Sequence, residues 1–313
     1  MPTARLFVLL LAATLATACS QPAPQPSADA SAPAAPEAPC DSCETEAWRA
    51  KHEVDYTRDY VPIAGLHFLK GGAHTAGSAR TNDIILPASA PPALGTFELA
   101  SGAVRFTPDA AAAARVNGTP ATGAMALKDD SGKADSIEAG GIRVAVHRSG
   151  VRQSLRVWEP DGKQAREFLG FAWFDIQPEY RVTGRFMPDP APRTLESPNT
   201  FGDLDPMNTE GVVEFTLQGR TLRMRPFTTR PKRFWFVFSD ASSGVETYRA
   251  ARFLYADLKD DGTSVLDFNQ AYNPPCAFNP YTTCPLPMTE NRLPVKILAG
   301  ERDYAIHVPL AGF

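Results

Sequence analysis

The pattern of apolar and polar positions divides the chain into one helix followed by a long series of strands. Trp48, His52 and Tyr56 stand four residues apart within residues 44–60, so they share one face of a predicted helix. We expect this face to dock on the rest of the protein, with His52 as a packed residue rather than a metal ligand. From Val61 onward, short apolar runs alternate with Gly, Pro, Ser and Asn. This spacing predicts an all-β protein, mainly antiparallel, after one N-terminal helix.

A second β region begins near residue 137 and has the clearer strand periodicity. Arg181 and Arg185 fall on one face of a predicted strand, because side chains alternate between the two faces. The run FWFVF at residues 234–238 is apolar at every position, which predicts a central strand covered on both faces. We therefore predict a small sandwich within residues 44–136 and a larger β-sandwich or barrel over residues 137–313.

The N-terminus has the composition of a secretory signal. Residues 1–18 hold one basic residue, an apolar run too short to span a bilayer, and then small residues. The sequence LATAC resembles a bacterial lipobox, in which Cys19 becomes the lipidated first residue. Residues 19–43 form a predicted stalk, because Pro, Ala, Ser and Gln cannot bury a core. We predict a protein anchored by lipid to a membrane of the bacterial cell envelope, outside the cytoplasm and on the periplasmic side.

The net charge of the chain and its distribution limit the kinds of molecule that the protein is expected to bind. The chain carries a formal net charge of −4 at pH 7, which excludes a generic nucleic-acid binder. Residues 141–252 differ from the rest because they contain more Lys and Arg than Asp and Glu. Guanidinium groups match the geometry of carboxylates and phosphates. This region therefore predicts a polar or anionic small molecule as partner, with a solvated outer sheet face as the alternative.

Four cysteines remain once Cys19 is assigned to lipid, and disulfides persist outside the cytoplasm. Three pairings of Cys40, Cys43, Cys276 and Cys284 are possible. We favour a disulfide between Cys276 and Cys284, because the seven intervening residues allow the two α-carbons to reach bridging distance. Cys40 and Cys43 would then pair with each other or stay thiols. A redox motif at Cys40 and Cys43 and a zinc site of four thiolates are the alternatives. We predict no metal and no cofactor.

Residues 265–301, which we call the proline segment, contain a polar, proline-rich loop with two cysteines between two apolar, strand-like runs. Its prolines and its two cysteines predict one rigid shape. The motifs LDFN, AYNPPCAF, TCPLP, NRLP and AGE resemble the signature of a bacterial family catalogued as a domain of unknown function. The resemblance runs from about Trp48 to the end of the chain, and Met288 stands where the family pattern has a second proline after TCPLP. It implies no known activity, cofactor or substrate.

The first β region resembles a second family. Gly77, the run NDIILP at residues 82–87 and the dipeptide at residues 117–118 are similar to a forkhead-associated sandwich over residues 66–127. Members of that family bind phosphothreonine. The serine and histidine that such domains place after the NDI-type strand are absent, because PASAPPALG stands there. The resemblance therefore implies a scaffold rather than a phosphopeptide site.

No standard catalytic signature is present, since the chain lacks a GxSxG elbow, a Walker loop, a dinucleotide fingerprint and HExxH. Any site would have to be assembled from separate strands and the proline segment. Asn, Tyr and Arg supply donors that orient a carbonyl, a phosphate or a sugar. The candidate residues for ligand binding or catalysis are His147, Arg148, Arg181, Arg185, Asp267, Asn269, Tyr272, Asn273, Asn291, Arg292 and Glu301.

Three functions are open for these candidates. We favour binding of a polar or anionic small ligand in a cleft beneath the proline segment. A hydrolase that uses the same cleft is the first alternative, with His147 or Glu301 as the base beside Asp267. A structural or interaction protein of the envelope is the second. In that case the polar residues would only satisfy the backbone groups of the proline segment.

Overall fold

The structure is a computed structural model that describes residues 40–306. The described residues belong to one compact unit. The predicted signal peptide, the lipidation at Cys19 and the stalk up to residue 39 lie outside the described residues. No helix in the described part of the chain is both long and apolar enough to cross a membrane.

Helix α1 (Asp41–Asp59) is the one long helix among residues 40–306, as the aromatic spacing predicted. Cys40 caps its N-terminus, where the cysteine sulfur accepts a hydrogen bond from the Cys43 backbone N–H at 3.3 Å. Two acidic residues lie in the first turn, where the helix dipole favours negative charge. The predicted aromatic face packs against the β structure, and His52 is only 8% exposed there.

The first part of the β structure is a sandwich of two sheets. The strands are β1 (Ile63–Phe68), β2 (Gly72–Gly77), β3 (Ile84–Ile85), β4 (Gly95–Ala100), β5 (Ala103–Pro108), β6 (Arg115–Val116), β7 (Thr119–Pro120), β8 (Met125–Leu127), β9 (Ile137–Ala139), β10 (Ile142–Ser149) and β11 (Arg152–Trp158). One sheet has the strand order β1-β11-β10-β9-β6-β7, and the other has the order β3-β2-β4-β5-β8. Pairing is antiparallel except between β2 and β3.

This first sandwich extends past the predicted boundary at residue 136. Strands β9, β10 and β11 follow that residue, yet they hydrogen-bond to β1 and β6. Leu155 and Val157 are buried in the same core as Phe97 and Phe106. The first sandwich therefore ends at β11. Strand periodicity shows which face of a strand is buried, but it does not show which sheet the strand joins.

The second part of the β structure is also a sandwich, and no closed barrel forms among the described residues. A short helix α2 (Lys163–Glu167) precedes it. Its strands are β12 (Arg181–Pro198), β13 (Leu204–Leu217), β14 (Arg220–Met224), β15 (Phe227–Arg230), β16 (Arg233–Phe238), β17 (Arg252–Asp257) and β18 (Thr263–Asp267). One sheet has the order β14-β13-β12-β18, and it shares a core with a second sheet of order β15-β16-β17. The two sandwiches confirm the all-β, mainly antiparallel prediction.

Strand β16 carries the FWFVF run and is covered on both faces, as predicted. Phe234, Phe236 and Phe238 pack into the core between the two sheets of the second sandwich. Trp235 and Val237 point the other way, into a second apolar cluster that includes the aromatic face of helix α1. This middle strand therefore connects the core of the second sandwich to the layer in which the candidate site lies.

The proline segment is folded into the protein rather than projecting from it. It leaves β18 and runs through three short 3-10 turns, and most of its side chains are buried. Its last part places Val295 and Ile297 in the core of the second sandwich. Gly300 has φ +78°, and a Cβ there would lie 2.2 Å from the Ala271 carbonyl oxygen. Only glycine fits at that crossing of the segment over itself.

Candidate functional site

An aromatic cavity of about 530 Å³ lies where four parts of the fold meet. Helix α1 forms one wall, the outer face of β10 and β11 forms the second, the sheet β15-β16-β17 forms the third, and the proline segment forms the fourth. The volume falls in the range of small-molecule sites, roughly 300–1,000 Å³. Because the walls come from distant parts of the sequence, the cavity exists only in the complete fold.

Helix α1 contributes a ladder of four neighbouring rings to the cavity, in which Trp48 and His52 are stacked and the later pairs are tilted. Trp48, His52, Tyr56 and Tyr60 follow one another at i, i+4 spacing, with successive ring centroids 4.9, 4.1 and 4.7 Å apart. Tyr272 of the proline segment lies 4.6 Å from the His52 ring. Burial lowers the pKa of His52 to about 4, so its imidazole is neutral at physiological pH. The ladder offers flat, uncharged faces.

The opposite wall is aromatic as well. Trp235 and Tyr255 stack at 6.0 Å, and Tyr255 stacks on Tyr272 at 6.3 Å. Phe253 meets the edge of Trp235 at 4.8 Å. Burial raises the pKa of Tyr255 and of Tyr272, so both hydroxyls stay protonated and can donate. The cavity thus combines ring faces with neutral hydroxyl donors.

Arg156 brings a positive charge into the cavity from β11. Its partner in the strand register is Ala145, on the face turned away from the first core. The side chain is only 13% exposed, and its ion pair with Asp130 is long, at 3.6 Å from Nη1. No residue in the range 40–306 makes a hydrogen bond to the guanidinium, and Nε is fully buried. Burial lowers the pKa of Arg156 and Asp130 partly offsets this, but an arginine remains a cation.

The other cations of the cavity already have partners. Lys51 forms an ion pair with Asp55 on helix α1. Arg233 donates from Nη1 to Asp257 at 2.7 Å. Of the three cations that line the cavity, Arg156 is therefore the one whose hydrogen-bonding capacity is unused within the described chain.

His147 also lines the cavity, and both of its ring nitrogens have partners. Nδ1 lies 2.5 Å from Asp130 Oδ2, and Nε2 lies 2.7 Å from Thr283 Oγ1. Burial lowers the pKa of His147, although Asp130 acts in the opposite direction, so the ring is neutral at physiological pH. A carboxylate can only accept, so Nδ1 carries the hydrogen and Nε2 accepts from the threonine hydroxyl.

Three predicted candidates instead hold helix α1 in place. Asp267 accepts from Thr45 Oγ1 at 2.7 Å and from Arg181 Nη1 at 2.9 Å. Arg49 donates from Nε and Nη2 to the Asn269 carbonyl oxygen at 3.1 and 2.8 Å. The LDFN motif is therefore an anchor for the helix, and none of these groups faces the cavity.

Three further candidates satisfy the backbone of the proline segment and its neighbours. Glu301 accepts from the Asn273 backbone N–H at 2.8 Å. Asn291 donates to the carbonyl oxygens of Arg225 and Val237 at 2.8 and 2.9 Å. Glu301 is 2% exposed, and burial raises its pKa to about 8 although the bonds from Asn273 act to lower it. These three side chains therefore stabilise the fold by satisfying buried backbone groups.

The remaining three candidates lie on the surface. Arg148 is exposed, with its side chain 3.8 Å from Asp129. Arg185 lies beside a shallow groove on the sheet of β12 and β13, and Arg292 lies in a separate open groove. Of the eleven predicted residues, the structure brings only His147 and Tyr272 into the aromatic cavity.

The predicted Cys276–Cys284 disulfide does not form in the structure, in which both are buried free thiols, whereas Cys40 and Cys43 are bonded. The Cys284 sulfur accepts from the Cys276 backbone N–H at 3.3 Å, so the sulfur already has a polar partner. Burial raises the pKa of Cys276. Burial acts in the same direction on Cys284, but a hydrogen bond from Cys276 leaves the pKa of Cys284 below its usual range. Sequence spacing shows only that a bridge is possible. Among residues 40–306 no three His, Cys, Asp or Glu side chains group in a way that could hold a metal ion.

Several residues of the cavity escaped the sequence analysis. Arg156 gave no signal, because it alternates with Leu155 and Val157 of the buried face, as a solvent-facing residue of a strand would. Tyr60 continues the aromatic spacing of helix α1 by one more turn. Thr283 stands in an irregular segment, so no periodicity marks it. Its role depends on a contact with a residue 136 positions away.

Comparison with known proteins shows relatives without an assigned function. Residues 166–302 match a family described as "Protein of unknown function (DUF1684)". One similar solved structure is the solution NMR structure of an uncharacterized protein of Haloarcula marismortui. It is 28% identical, with 45% of this chain and 80% of that chain covered and a TM-score of 0.38. No curated protein matches. The family match contains the second sandwich and the proline segment, and it leaves out helix α1, β10 and β11.

Proposed function

We propose that this protein is a lipid-anchored protein of the cell envelope that binds a small anionic ligand with a flat or sugar ring in the aromatic cavity. The observation that carries the proposal is Arg156, a nearly buried guanidinium without a hydrogen bond from the described chain. Burying a charged group without partners is unfavourable. A bound carboxylate or phosphate would supply the missing acceptors in a geometry that suits a guanidinium.

The aromatic walls support the ring-bearing part of the proposed ligand. Trp48 and Tyr56 line one side of the cavity, and Trp235 and Tyr255 line another. Aromatic side chains bind flat or weakly polar ring faces through large contact areas, and their hydroxyls add hydrogen bonds at little entropic cost. A ligand with a ring and a single negative group would use both features.

The location rests on the sequence of the N-terminus, which lies outside the described residues. A short apolar run followed by LATAC supports export and lipidation at Cys19. A Cys19→Ser variant should lose incorporation of radiolabelled palmitate and appear in the soluble fraction. Labelling that persists in this variant would contradict the proposed anchor.

Thermal unfolding of the folded unit that begins at Cys40 tests the ligand site. We expect stabilisation by some anionic sugars or aromatic carboxylates in a panel, and none by their neutral amides or methyl esters. A ligand at one hundred times its Kd stabilises by about 2.7 kcal/mol through mass action. Arg156→Met should abolish this stabilisation.

Arg185→Met is the matched control, because it removes an exposed arginine of β12 that lies away from the cavity. This variant should respond to ligand as the unmodified protein does. Equal stabilisation of the Arg156→Met variant, or stabilisation that does not depend on the charge of the ligand, would contradict the proposal.

A further inference from the structure

Three side chains at the cavity form a chain of hydrogen bonds from a carboxylate to a hydroxyl. Asp130 Oδ2 lies 2.5 Å from His147 Nδ1, and His147 Nε2 lies 2.7 Å from Thr283 Oγ1. Asp130 follows β8, His147 is on β10, and Thr283 is in the proline segment. A hydroxyl within hydrogen-bond reach of a base, with the base oriented by a third group, is the arrangement that activates a nucleophile.

The environment keeps each member of this chain in the protonation state that the chemistry needs. Asp130 also accepts from the Arg148 backbone N–H at 2.8 Å, which fixes the orientation of the carboxylate. Burial acts to raise the pKa of Asp130, but the bonds from His147 and Arg148 hold it below its usual range, so the group is ionised. His147 is neutral, with Nε2 free of a proton. The hydroxyl of Thr283 therefore faces a base.

We infer that Thr283 is the nucleophile of an acyl-transfer reaction that hydrolyses a carboxylic ester bearing a negative group, with His147 as the general base. This inference rests on the ligand site proposed above, because the ester would occupy the same cavity. Arg156 lies beside Asp130 and His147 and is placed to hold the negative group of the substrate. Thr283 is partly exposed and lines the cavity, so an ester carbonyl can reach it.

The proposed reaction has two balanced steps. In the first, the oxygen of Thr283 attacks the ester carbonyl carbon while His147 Nε2 takes the hydroxyl proton. The tetrahedral intermediate then breaks the carbon–oxygen bond to the leaving alcohol, which takes that proton from His147. In the second, water attacks the acyl-threonine and gives a proton to His147. The threonine oxygen leaves and recovers that proton, which releases the carboxylic acid.

Cys284 is the neighbouring group that could compete as nucleophile. Its thiol is 3% exposed, and its hydrogen-bond partners are Thr282 and the Cys276 backbone N–H. The base of the site bonds to Thr283 rather than to Cys284. The geometry therefore favours the hydroxyl, and labelling chemistry can separate the two.

The test uses the full chain, with a fluorophosphonate probe and a panel of p-nitrophenyl esters, neutral and anionic. We expect mass spectrometry to find the phosphonyl adduct on Thr283 and turnover to prefer the anionic esters. Thr283→Val and His147→Gln should each lower the rate at least about 100-fold. Thr283→Ser should retain activity, because it keeps the hydroxyl. Thr289→Val, at an exposed position of the same segment, should change nothing.

Asp130 acts through His147 and is a positioning residue. Asp130→Asn should lower the rate and also change its pH profile, because an amide no longer fixes the tautomer of the imidazole. An unchanged pH profile would overturn the role of Asp130.

Failure of this inference is distinguishable from failure of the ligand site. Anionic ligands that stabilise both the unmodified protein and Thr283→Val, with no ester turnover and no adduct, would overturn the reaction and leave the binding proposal standing. An adduct on Cys284, or full activity of Thr283→Val, would also overturn it. Loss of ligand stabilisation in Arg156→Met combined with an adduct on Thr283 would support both.

Discussion

Two sets of buried polar groups, the helix anchor at Asp267 and the cavity wall at Arg156, differ in how they are satisfied. Asp267 accepts from a threonine, an arginine and a backbone N–H, and it is 4% exposed. Arg156 is also largely buried, yet it has only a long ion pair. A buried polar group whose hydrogen bonds are made within the fold has a structural role. A buried polar group beside a cavity that lacks such bonds indicates a partner from outside the chain.

The comparison also shows that the motifs of the proline segment serve two purposes. Several of their polar side chains donate to backbone carbonyl oxygens of the same fold, as those of Asn291 and Asn273 do. The cavity combines Tyr272 and Thr283 of these motifs with residues of helix α1 and β11 that belong to no recognisable motif. If the comparison holds, substitutions of side chains that bond to backbone groups will change the stability of the fold. Substitutions of residues that line the cavity will change only ligand binding.

The largest expected effect comes from a fully buried ion pair. Arg252 is fully buried, donates from Nη1 to Asp240 at 2.8 Å, and also bonds to the carbonyl oxygens of Ile297 and Ala299. Arg252→Met would leave the buried Asp240 carboxyl group without its cationic partner. We expect a loss of about 3–5 kcal/mol in the free energy of unfolding, measured by urea denaturation. The exposed Arg249→Met is the control and should change it by less than about 0.5 kcal/mol. A small effect of Arg252→Met would show that this buried ion pair contributes little to stability.

The second prediction concerns the helix anchor. Asp267→Ala removes the acceptor of Thr45 and of Arg181, so we expect a loss of about 1.5–3 kcal/mol in the free energy of unfolding. Amides of helix α1 should also exchange hydrogen faster, because the helix is less firmly held. The exposed Asp260→Ala serves as control. Unchanged exchange in helix α1 would remove the anchoring role.

The third prediction is a dependence on pH. Glu301 has a pKa of about 8 in the folded protein against an ordinary value of 4.5, because it is buried. Between these values the folded state holds a proton that the unfolded chain has released, so the stability that Glu301 contributes is fully present below pH 4.5 and is lost as pH rises toward about 8. We expect Glu301→Gln to make the stability curve flatter by about 1 kcal/mol per pH unit between pH 5 and 7. Glu179→Gln, at an exposed site, should leave the slope unchanged. Parallel curves for the protein and Glu301→Gln would contradict the assignment.

The smallest expected effect on stability belongs to the cavity. Arg156→Met removes a charge that has no hydrogen bond in the described chain, and it keeps much of the side-chain volume. We expect the free energy of unfolding without ligand to change by less than about 0.5 kcal/mol, or to rise. Urea denaturation measures this directly. A loss of several kcal/mol would place Arg156 with the structural groups.

Sequence periodicity was sufficient to predict the long helix, the covered strand and the all-β class. The aromatic spacing at Trp48, His52 and Tyr56 predicted helix α1, and the two-sided apolar run at residues 234–238 predicted the covered strand β16. Both inferences depend on side-chain period within one element, which is a local property. The all-β class followed from the same local patterns.

The parts that could not be predicted depend on contacts between distant elements. Strands β10 and β11 are buried on both faces. One face packs against the first core and the other packs against the rest of the protein. A local sequence pattern does not identify this second partner. Arg156 and Thr283 matter only because β11 and the proline segment meet. A composition rich in polar residues drew attention to the proline segment, but polarity does not show whether the groups face inward or toward a ligand.

The anchoring of helix α1 has a consequence for how the protein is made. Thr45 bonds to a residue 222 positions later, so helix α1 leaves the ribosome well before β18 and can dock only after β18 has been made. Long-range closure of this kind is slow compared with the formation of local hairpins. The cavity should accordingly be completed last during biosynthesis, and ligand binding would report that the whole chain has matured.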